Sequence, residues 1–298
     1  MYSLEELEEY IIKMEKRELV NYLFENNLIC REMLCTGTCK KPMKFETAQR
    51  YTDGYAWRCY NKDCTYYRKR KSIRDGSFFE DFRFEAKTIL KVIFRYCGGQ
   101  QQSSIIATIA ISRPTYDKIL SKLIGLMAID NRKEPKLGGP LCIVQVDETM
   151  LNYKCKSNRG RSSTNRTDGI CIVEVRSSAI TRVWAEIIPN KSISTMLPII
   201  CEHVLSGSTI HTDEHRSYGV LGRNGFEHAT VCHKYMFVDR EANVHTQHVE
   251  SFNNCLKYEI KKRKGVKTIN RAAFLSEQVW KWNNKTNMLD NIFKLIKT

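Results

Sequence analysis

Two pairs of cysteines near the start of the chain constrain its fold more than any other feature. Cys35 and Cys39 are separated by three residues, and Cys59 and Cys64 by four, with nineteen residues between the pairs. Zinc binds four such ligands in a tetrahedron, and two short loops joined by a hairpin supply that geometry. The spacing predicts a zinc ribbon over residues 30–83 that holds one structural Zn²⁺, and the aromatic residues between the two pairs favour a small two-stranded sheet there.

Two alternatives stay open at this cluster. The chain has twelve cysteines, and because no secretory signal is recognisable, reduced thiols are favoured over disulfides. The cluster is therefore either a metal site or a set of buried thiols, and Cys30 is a competing ligand. A module this small builds little apolar core, which favours the metal. The basic residues at 68–71 are candidate phosphate contacts.

Helical patterns bracket the cysteine module. Residues 1–29 form an N-terminal segment with a predicted helix over 3–28, begun by a capping box at Ser3 and Glu6. The region 84–130 predicts three further helices, at 84–97, 103–109 and 113–130.

A tight turn precedes the third of these helices, as in a helix-turn-helix. Arg113 and Lys118, near its start, are therefore candidate DNA contacts. Because many helical hairpins share this pattern, a plain helical hairpin is the alternative.

A polar segment with two prolines and two glycines, residues 131–140, predicts a linker between domains. After it, residues 141–298 show strand patterns and then alternating helix and strand. The predicted strands lie at 141–148, 169–175, 181–188, 208–213 and 229–238, and the predicted helices at 192–205, 245–262 and 270–283. This order predicts an α/β fold with a mixed sheet.

The charge indicates the class of partner. The chain carries 48 basic and 33 acidic side chains, a net charge of +15, which is typical of nucleic-acid-binding proteins. A merely soluble basic protein is the alternative. The acidic N-terminus has no apolar core and no apolar run approaches the roughly 20 residues of a membrane span. We therefore expect neither secretion nor a membrane partner.

Three carboxylates follow predicted elements of the α/β region. Asp147 and Asp213 each lie at the end of a predicted strand, and Glu250 lies in a predicted helix. A buried carboxylate is costly unless it is paired, solvated or bound to metal. Three carboxylates from two strands and a helix can hold two divalent cations for phosphoryl transfer. Taken singly, each acidic residue is more often a turn residue.

Several short motifs together resemble one family of enzymes. They are DGYAWRCYNKDC at 53–64, KSIRDGSFF at 71–79, VDET at 146–149, KSNRGR at 156–161, HTDEHRSY at 211–218, VCHKYMFV at 231–238, VHTQHVESF at 244–252 and NNCLK at 253–257. In this order they resemble the DDE transposases of the IS1016/ISXO2-like (IS1595) group and their eukaryotic counterparts, the Merlin DNA transposons. The resemblance covers residues 35 to about 285.

The resemblance implies roles for individual residues. Asp147, Asp213 and Glu250 would be the catalytic carboxylates of an RNase H-like domain, binding two Mg²⁺ or Mn²⁺ ions. Lys257 would lie near the DNA. Arg159 and Arg161 lie in the family's basic loop and are further candidate DNA contacts.

The implied function is that of a DNA transposase, which binds terminal inverted repeats and target DNA. Because two element ends must be handled together, we expect a homodimer or a larger assembly. The expected location is the nucleus for a eukaryotic host, which we favour, and the cytoplasm or nucleoid otherwise. Two alternatives stay open: a domesticated, inactive transposase-derived DNA-binding regulator, and an RNase H-like nuclease for another nucleic acid.

The chain departs from its relatives at three positions within these motifs. It has His215 and Asn253 where relatives often have Trp, and Cys232 where Asn is common. We expect none of the three residues to touch a carboxylate. We also expect Glu148 to face away from Asp147, because adjacent side chains of a regular strand point to opposite faces.

Overall fold

The computed structural model describes residues 3–152, 166–231 and 244–298. The chain divides into two compact units, Met1–Leu126 with Thr286–Thr298, and Met127–Lys285. The sequence predicts instead a linker at 131–140 followed by one domain to residue 298. The last residues group with the first unit because they pack there: the rings of Phe94 and Phe293 lie 6.3 Å apart. The functions assigned to the predicted domains stay predictions.

The N-terminal segment contains two helices rather than the single helix predicted over 3–28. Helix α1 is Leu4–Lys13 and helix α2 is Lys16–Glu25. The predicted capping box at Ser3 begins α1. A second box, between Glu15 and Glu18, begins α2. The chain is extended at Met14, with ψ of 135°, so the second cap starts a new helix.

The cysteine module contains the two antiparallel strands predicted between the cysteine pairs, and a third strand that was not predicted extends their sheet. Its strands are β1 (Lys44–Thr47), β2 (Tyr55–Arg58) and β3 (Arg70–Ser72), in that order. Glu46 ties the three strands together, because its carboxylate contacts Arg58 of β2 at 3.4 Å and Arg70 of β3 at 2.6 Å.

The helices that follow the cysteine module lie close to the predicted positions. They are α3 (Ala86–Cys97), α4 (Gln102–Ile109) and α5 (Arg113–Asn131). Gly98 ends α3, and the Ser112 hydroxyl accepts the backbone N–H of Thr115 at 3.2 Å, as expected of an N-cap. Helix α9 (Met288–Ile296) was not predicted and buries Ile292 and Ile296.

The second unit contains a five-stranded mixed sheet, which confirms the predicted α/β class. Its strands are β4 (Ile143–Met150), β5 (Asp168–Arg176), β6 (Ala179–Ile188), β7 (Thr209–Asp213) and β8 (Glu227–Val231). The order is β6-β5-β4-β7-β8. The β6-β5-β4 pairs are antiparallel and the β4-β7-β8 pairs are parallel. The rest of the strand predicted at 229–238 lies outside the described residues.

Helices cover both faces of this sheet. Helix α6 (Ile193–His203) packs on one face against a core that includes Val146, Met196 and Tyr218. Helices α7 (Gln247–Lys262) and α8 (Arg271–Asn283) pack on the other, against Cys171 and Val173. The two cores hold β4, the central strand, between them.

No helix of the described residues is both long enough and apolar enough to cross a lipid bilayer.

Candidate functional site

The four predicted zinc ligands meet at one point. The sulfur atoms of Cys35, Cys39, Cys59 and Cys64 all lie within 4.8 Å of one another. Sulfurs bound to one zinc at about 2.3 Å are about 3.8 Å apart in a tetrahedron. The measured separations are 3.6 Å between Cys35 and Cys64 and 3.8 Å between Cys39 and Cys59. The donor set therefore fits a structural zinc, and Cys30 is not part of it.

Two tight loops present these sulfurs. The backbone N–H of Gly37 donates to the Cys35 sulfur at 3.3 Å, and that of Tyr66 donates to the Cys64 sulfur at 3.4 Å. Although burial opposes ionisation, such backbone hydrogen bonds lower the pKa of Cys64 to about 5. The second loop thus favours the thiolate at Cys64, whereas at Cys35 burial outweighs the Gly37 hydrogen bond and raises the pKa to about 12.

The carboxylates predicted to be catalytic lie on three neighbouring elements. Asp147 lies on β4 and Asp213 ends β7. Gln145 of β4 pairs with His211 of β7 in the parallel ladder. Asp147 follows Gln145 by two residues and Asp213 follows His211 by two, so the two carboxylates lie at the same level of neighbouring strands. Glu250 lies in the first turn of α7. The fold thus brings the three carboxylates to one region of the sheet.

The pKa of Asp147 responds to the negative charges around it. Burial is the largest cause that raises the pKa of Asp147 to about 6, and the negative charges of Glu148, Asp213 and Glu250, in that order, add to the increase. Concentrated carboxylates of this kind suit the oxygen-preferring Mg²⁺. Among the described residues, however, only the four cysteines bring three or more ligand atoms together as one group.

Each carboxylate is held by a hydrogen bond of its own. Asn253 donates to Asp147 Oδ2 at 2.7 Å, and the backbone N–H of His215 donates to Asp213 Oδ1 at 3.0 Å. The Thr246 hydroxyl donates to Glu250 Oε1 at 2.9 Å. We expected that none of the three residues that differ from the relatives would touch a carboxylate. That expectation is wrong for Asn253, whose side chain contacts Asp147, and for His215, whose backbone contacts Asp213. Cys232 lies outside the described residues.

Glu148 faces away from Asp147, as strand alternation predicts. Its side chain is 3% exposed and contacts Lys191 at 3.0 Å, and it accepts a short hydrogen bond from the Tyr218 hydroxyl. Burial raises the pKa of Tyr218, and the charge of Glu148 adds to the increase, so the hydroxyl keeps its proton and donates. Glu148 thereby joins β4 to the segment that follows Asp213.

The remaining predicted DNA contacts differ in their surroundings. Lys257 is exposed on α7. Burial raises the pKa of the Cys171 thiol, and the positive charge of Lys257 partly opposes that increase. Cys171 is the residue of β5 that pairs with Asp147. Arg113 is exposed and paired with Asp117 at 3.2 Å. Lys118 is occupied within the first unit, where it donates to the Asp81 carbonyl at 2.5 Å.

Arg159 and Arg161 lie outside the described residues.

Comparison with known proteins supplies an independent finding. Residues 136–283 match the model of the ISXO2-like transposase domain. The chain is also similar to an uncharacterized transposase-like protein of Haemophilus influenzae, at 31% identity over 103 residues, which is 35% of this chain and 82% of that protein.

Among solved structures, the chain is similar to the Mos1 transposase paired-end complex with left transposon end. The identity is 11% and the TM-score is 0.21, with 96% of each chain covered. Similarity this low carries no argument about the fold.

Proposed function

The chain belongs to the ISXO2-like transposase family, and we propose that it is a DNA transposase that binds terminal inverted repeats and catalyses metal-dependent cleavage and strand transfer. One observation carries the catalytic part of the proposal. Asp147 is a half-buried carboxylate whose pKa is raised to about 6 by burial, and the negative charges of Glu148, Asp213 and Glu250 add to the increase. Perturbed acidic groups of this kind concentrate at functional sites.

The chemistry assigned to this site is phosphoryl transfer. Two Mg²⁺ or Mn²⁺ ions held by Asp147, Asp213 and Glu250 would activate the attacking oxygen and neutralise charge on the phosphate. Asn253 fixes the Asp147 carboxylate through its amide, so that one oxygen of Asp147 is oriented. Burial is the largest cause of the raised pKa of Asp147, and a bound cation would offset the neighbouring negative charges that add to it.

A basic stripe on α7 marks the proposed path of the DNA strand. Lys257 and Lys261 are both exposed and follow Glu250 by seven and eleven residues, which places them within about 20° of its direction around the helix. They lie about 10 Å and 16 Å along the helix axis from Glu250. Tyr258, 64% exposed, lies beside them. A DNA strand whose phosphates contacted these lysines would reach the carboxylates at the start of α7.

The finer assignments belong to the same proposal. The mixed sheet with helices on both faces supports an RNase H-like catalytic domain. The converging cysteines support a zinc ribbon that, with the α4–α5 hairpin, recognises the element ends. We also propose that the protein is of the Merlin type, that it acts in the nucleus if its host is eukaryotic and in the cytoplasm or nucleoid otherwise, and that it acts as a homodimer or larger assembly.

The test is a strand-transfer assay. Purified protein is incubated with Mg²⁺ or Mn²⁺, a target plasmid and DNA that carries the sequences flanking this reading frame. A transposase leaves a 3′-hydroxyl at the element end and joins that end to the plasmid. Binding without cleavage would instead establish the regulator, and cleavage without preference for the ends would establish a general nuclease.

A further inference from the structure

Gln145 is a polar residue buried in the middle of the central strand β4. It is 1% exposed and lies between Val144 and Val146, which are both fully buried. Gln145 precedes Asp147 by two residues, so both side chains point to the face that carries α7. A buried amide in an apolar strand is costly unless its hydrogen bonds are made, and those bonds indicate what it does.

The amide oxygen of Gln145 caps helix α7. It accepts the backbone N–H of His248 at 2.9 Å and that of Val249 at 3.1 Å. These are N–H groups of the first turn, which have no partner within a helix. Thr246, at the N-cap position, makes no side-chain cap bond, and its hydroxyl donates to Glu250. The strand therefore supplies the cap that the helix lacks.

The amide nitrogen of Gln145 binds the segment that enters the helix. It donates to the backbone carbonyl of His245 at 2.8 Å and lies 3.3 Å from Nδ1 of both His245 and His248. His211, the strand partner of Gln145, lies 3.4 Å from the same His245 carbonyl through its Nδ1. One side chain on β4 thus fixes both the entry and the first turn of α7.

We propose that Gln145 is a positioning residue that sets Glu250 against Asp147. This inference rests on the proposed function, because it takes these two carboxylates as metal ligands. Helix α7 carries Glu250, and β4 carries Asp147. Sliding the helix by one residue, about 1.5 Å, would break both bonds to the amide oxygen of Gln145. Displacements of about 1 Å are enough to impair a catalytic site.

The test compares three variants of Gln145 in the full chain. Gln145→Leu removes both the donor and the acceptor. Gln145→Asn keeps the amide, but its side chain is one methylene shorter and does not reach the N–H groups of α7. Gln145→Glu keeps the acceptor and should rescue the cap. The matched control is Gln278→Leu, because Gln278 is 9% exposed and its amide nitrogen has no partner among the described residues.

Two quantities are measured. The first is hydrogen exchange of the His248 and Val249 amides without metal, which should accelerate about tenfold or more in Gln145→Leu and Gln145→Asn because an uncapped N–H opens more readily. Gln145→Glu and Gln278→Leu should keep the wild-type rates. The second is the Kd for Mn²⁺ on protein without DNA, which should rise about 10- to 100-fold in Gln145→Leu and Gln145→Asn.

The outcomes separate this inference from the proposed function. Wild-type Mn²⁺ affinity in a folded Gln145→Leu or Gln145→Asn variant would overturn the positioning role, as would accelerated exchange in Gln278→Leu to the same extent. If wild-type protein itself bound no Mn²⁺, the carboxylate site of the proposed function would fail instead. If Gln145→Leu did not fold, Gln145→Asn would decide the result.

Discussion

At the scale of single residues, strand alternation predicts direction but not partners. The sequence predicts that Glu148 points away from Asp147, and the structure confirms it. The partners of Glu148 were not predictable, because Lys191 and Tyr218 are 43 and 70 residues away in sequence. The same holds for Asn253, which lies 106 residues from Asp147. A local pattern fixes the face of a strand, whereas the tertiary fold decides what meets that face.

The ionised form of Asp147 is unfavourable in the folded protein, and this gives a prediction about stability. The pKa of Asp147 is about 6 in the folded protein and about 3.9 in the unfolded chain. Asp147 therefore contributes to the free energy of unfolding below about pH 4, and this contribution is lost as the pH rises through about 6. We expect Asp147→Asn to increase the free energy of unfolding at pH 7.5 by on the order of 1 kcal/mol.

Urea unfolding without divalent metal measures this difference. At pH 4 the gain should shrink, because Asp147 is then protonated in the folded protein. A less stable Asp147→Asn protein at pH 7.5 would show that the carboxylate is stabilised in the folded state rather than strained.

At the scale of elements, local signals predicted most helices and failed where an element depends on distant residues. The capping residues Ser3 and Ser112 and the glycines at 98–99 placed helix ends correctly. Strand β3 was not predicted because it is three polar residues long and forms only by pairing with β2, more than ten residues away in sequence. Helix α9 was missed although it is apolar on one face. The cysteine spacing, by contrast, was sufficient to bring the four sulfurs together.

The zinc module gives a prediction at this scale. A Cβ atom at residue 37 would lie 2.7 Å from the Cys64 sulfur and 2.9 Å from Tyr66 Cβ. We therefore expect Gly37→Ala to lose zinc, as Cys35→Ser and Cys59→Ser should, while wild type holds about one zinc per chain.

Elemental analysis of purified protein measures the zinc content. The control is Gly125→Ala, because Gly125 lies in α5 with nothing within 4 Å of the added Cβ; it should keep its zinc. Well-folded wild-type protein without zinc would remove the zinc ribbon from this account.

At the scale of the whole molecule, the net charge of +15 predicts a polyanionic partner, but it does not say where that partner binds. The structure distinguishes the basic side chains by their surroundings. Arg263 is paired with Glu277 at 2.8 Å and Lys118 is occupied by a carbonyl, whereas Lys257 is exposed on α7, two turns from Glu250. The sequence does not show which basic residues are paired, because the partners are brought together only by the fold.

Salt dependence tests the role of Lys257. Each neutralised phosphate contributes about 0.9 to the slope of log affinity against log salt concentration, so Lys257→Ala should flatten the slope by about one. Fluorescence anisotropy with end-containing DNA measures it. Lys13→Ala is the control, because Lys13 lies on α1 in an ion pair with Glu9. A slope unchanged by Lys257→Ala would place this lysine away from the phosphates.

The central claim is that Asp147, Asp213 and Glu250 together hold the metal ions with which this protein cuts DNA. Its most direct measurement is nicking of end-containing DNA with Mn²⁺ by wild type, Asp147→Asn, Asp213→Asn and Glu250→Gln. Glu148 is unsuited as a control because it is buried, so the control is Glu214→Gln, an exposed neighbour of Asp213.

We predict that wild type and Glu214→Gln nick the DNA, and that the three other variants bind it without nicking. Nicking at wild-type rates by all three variants would contradict the account.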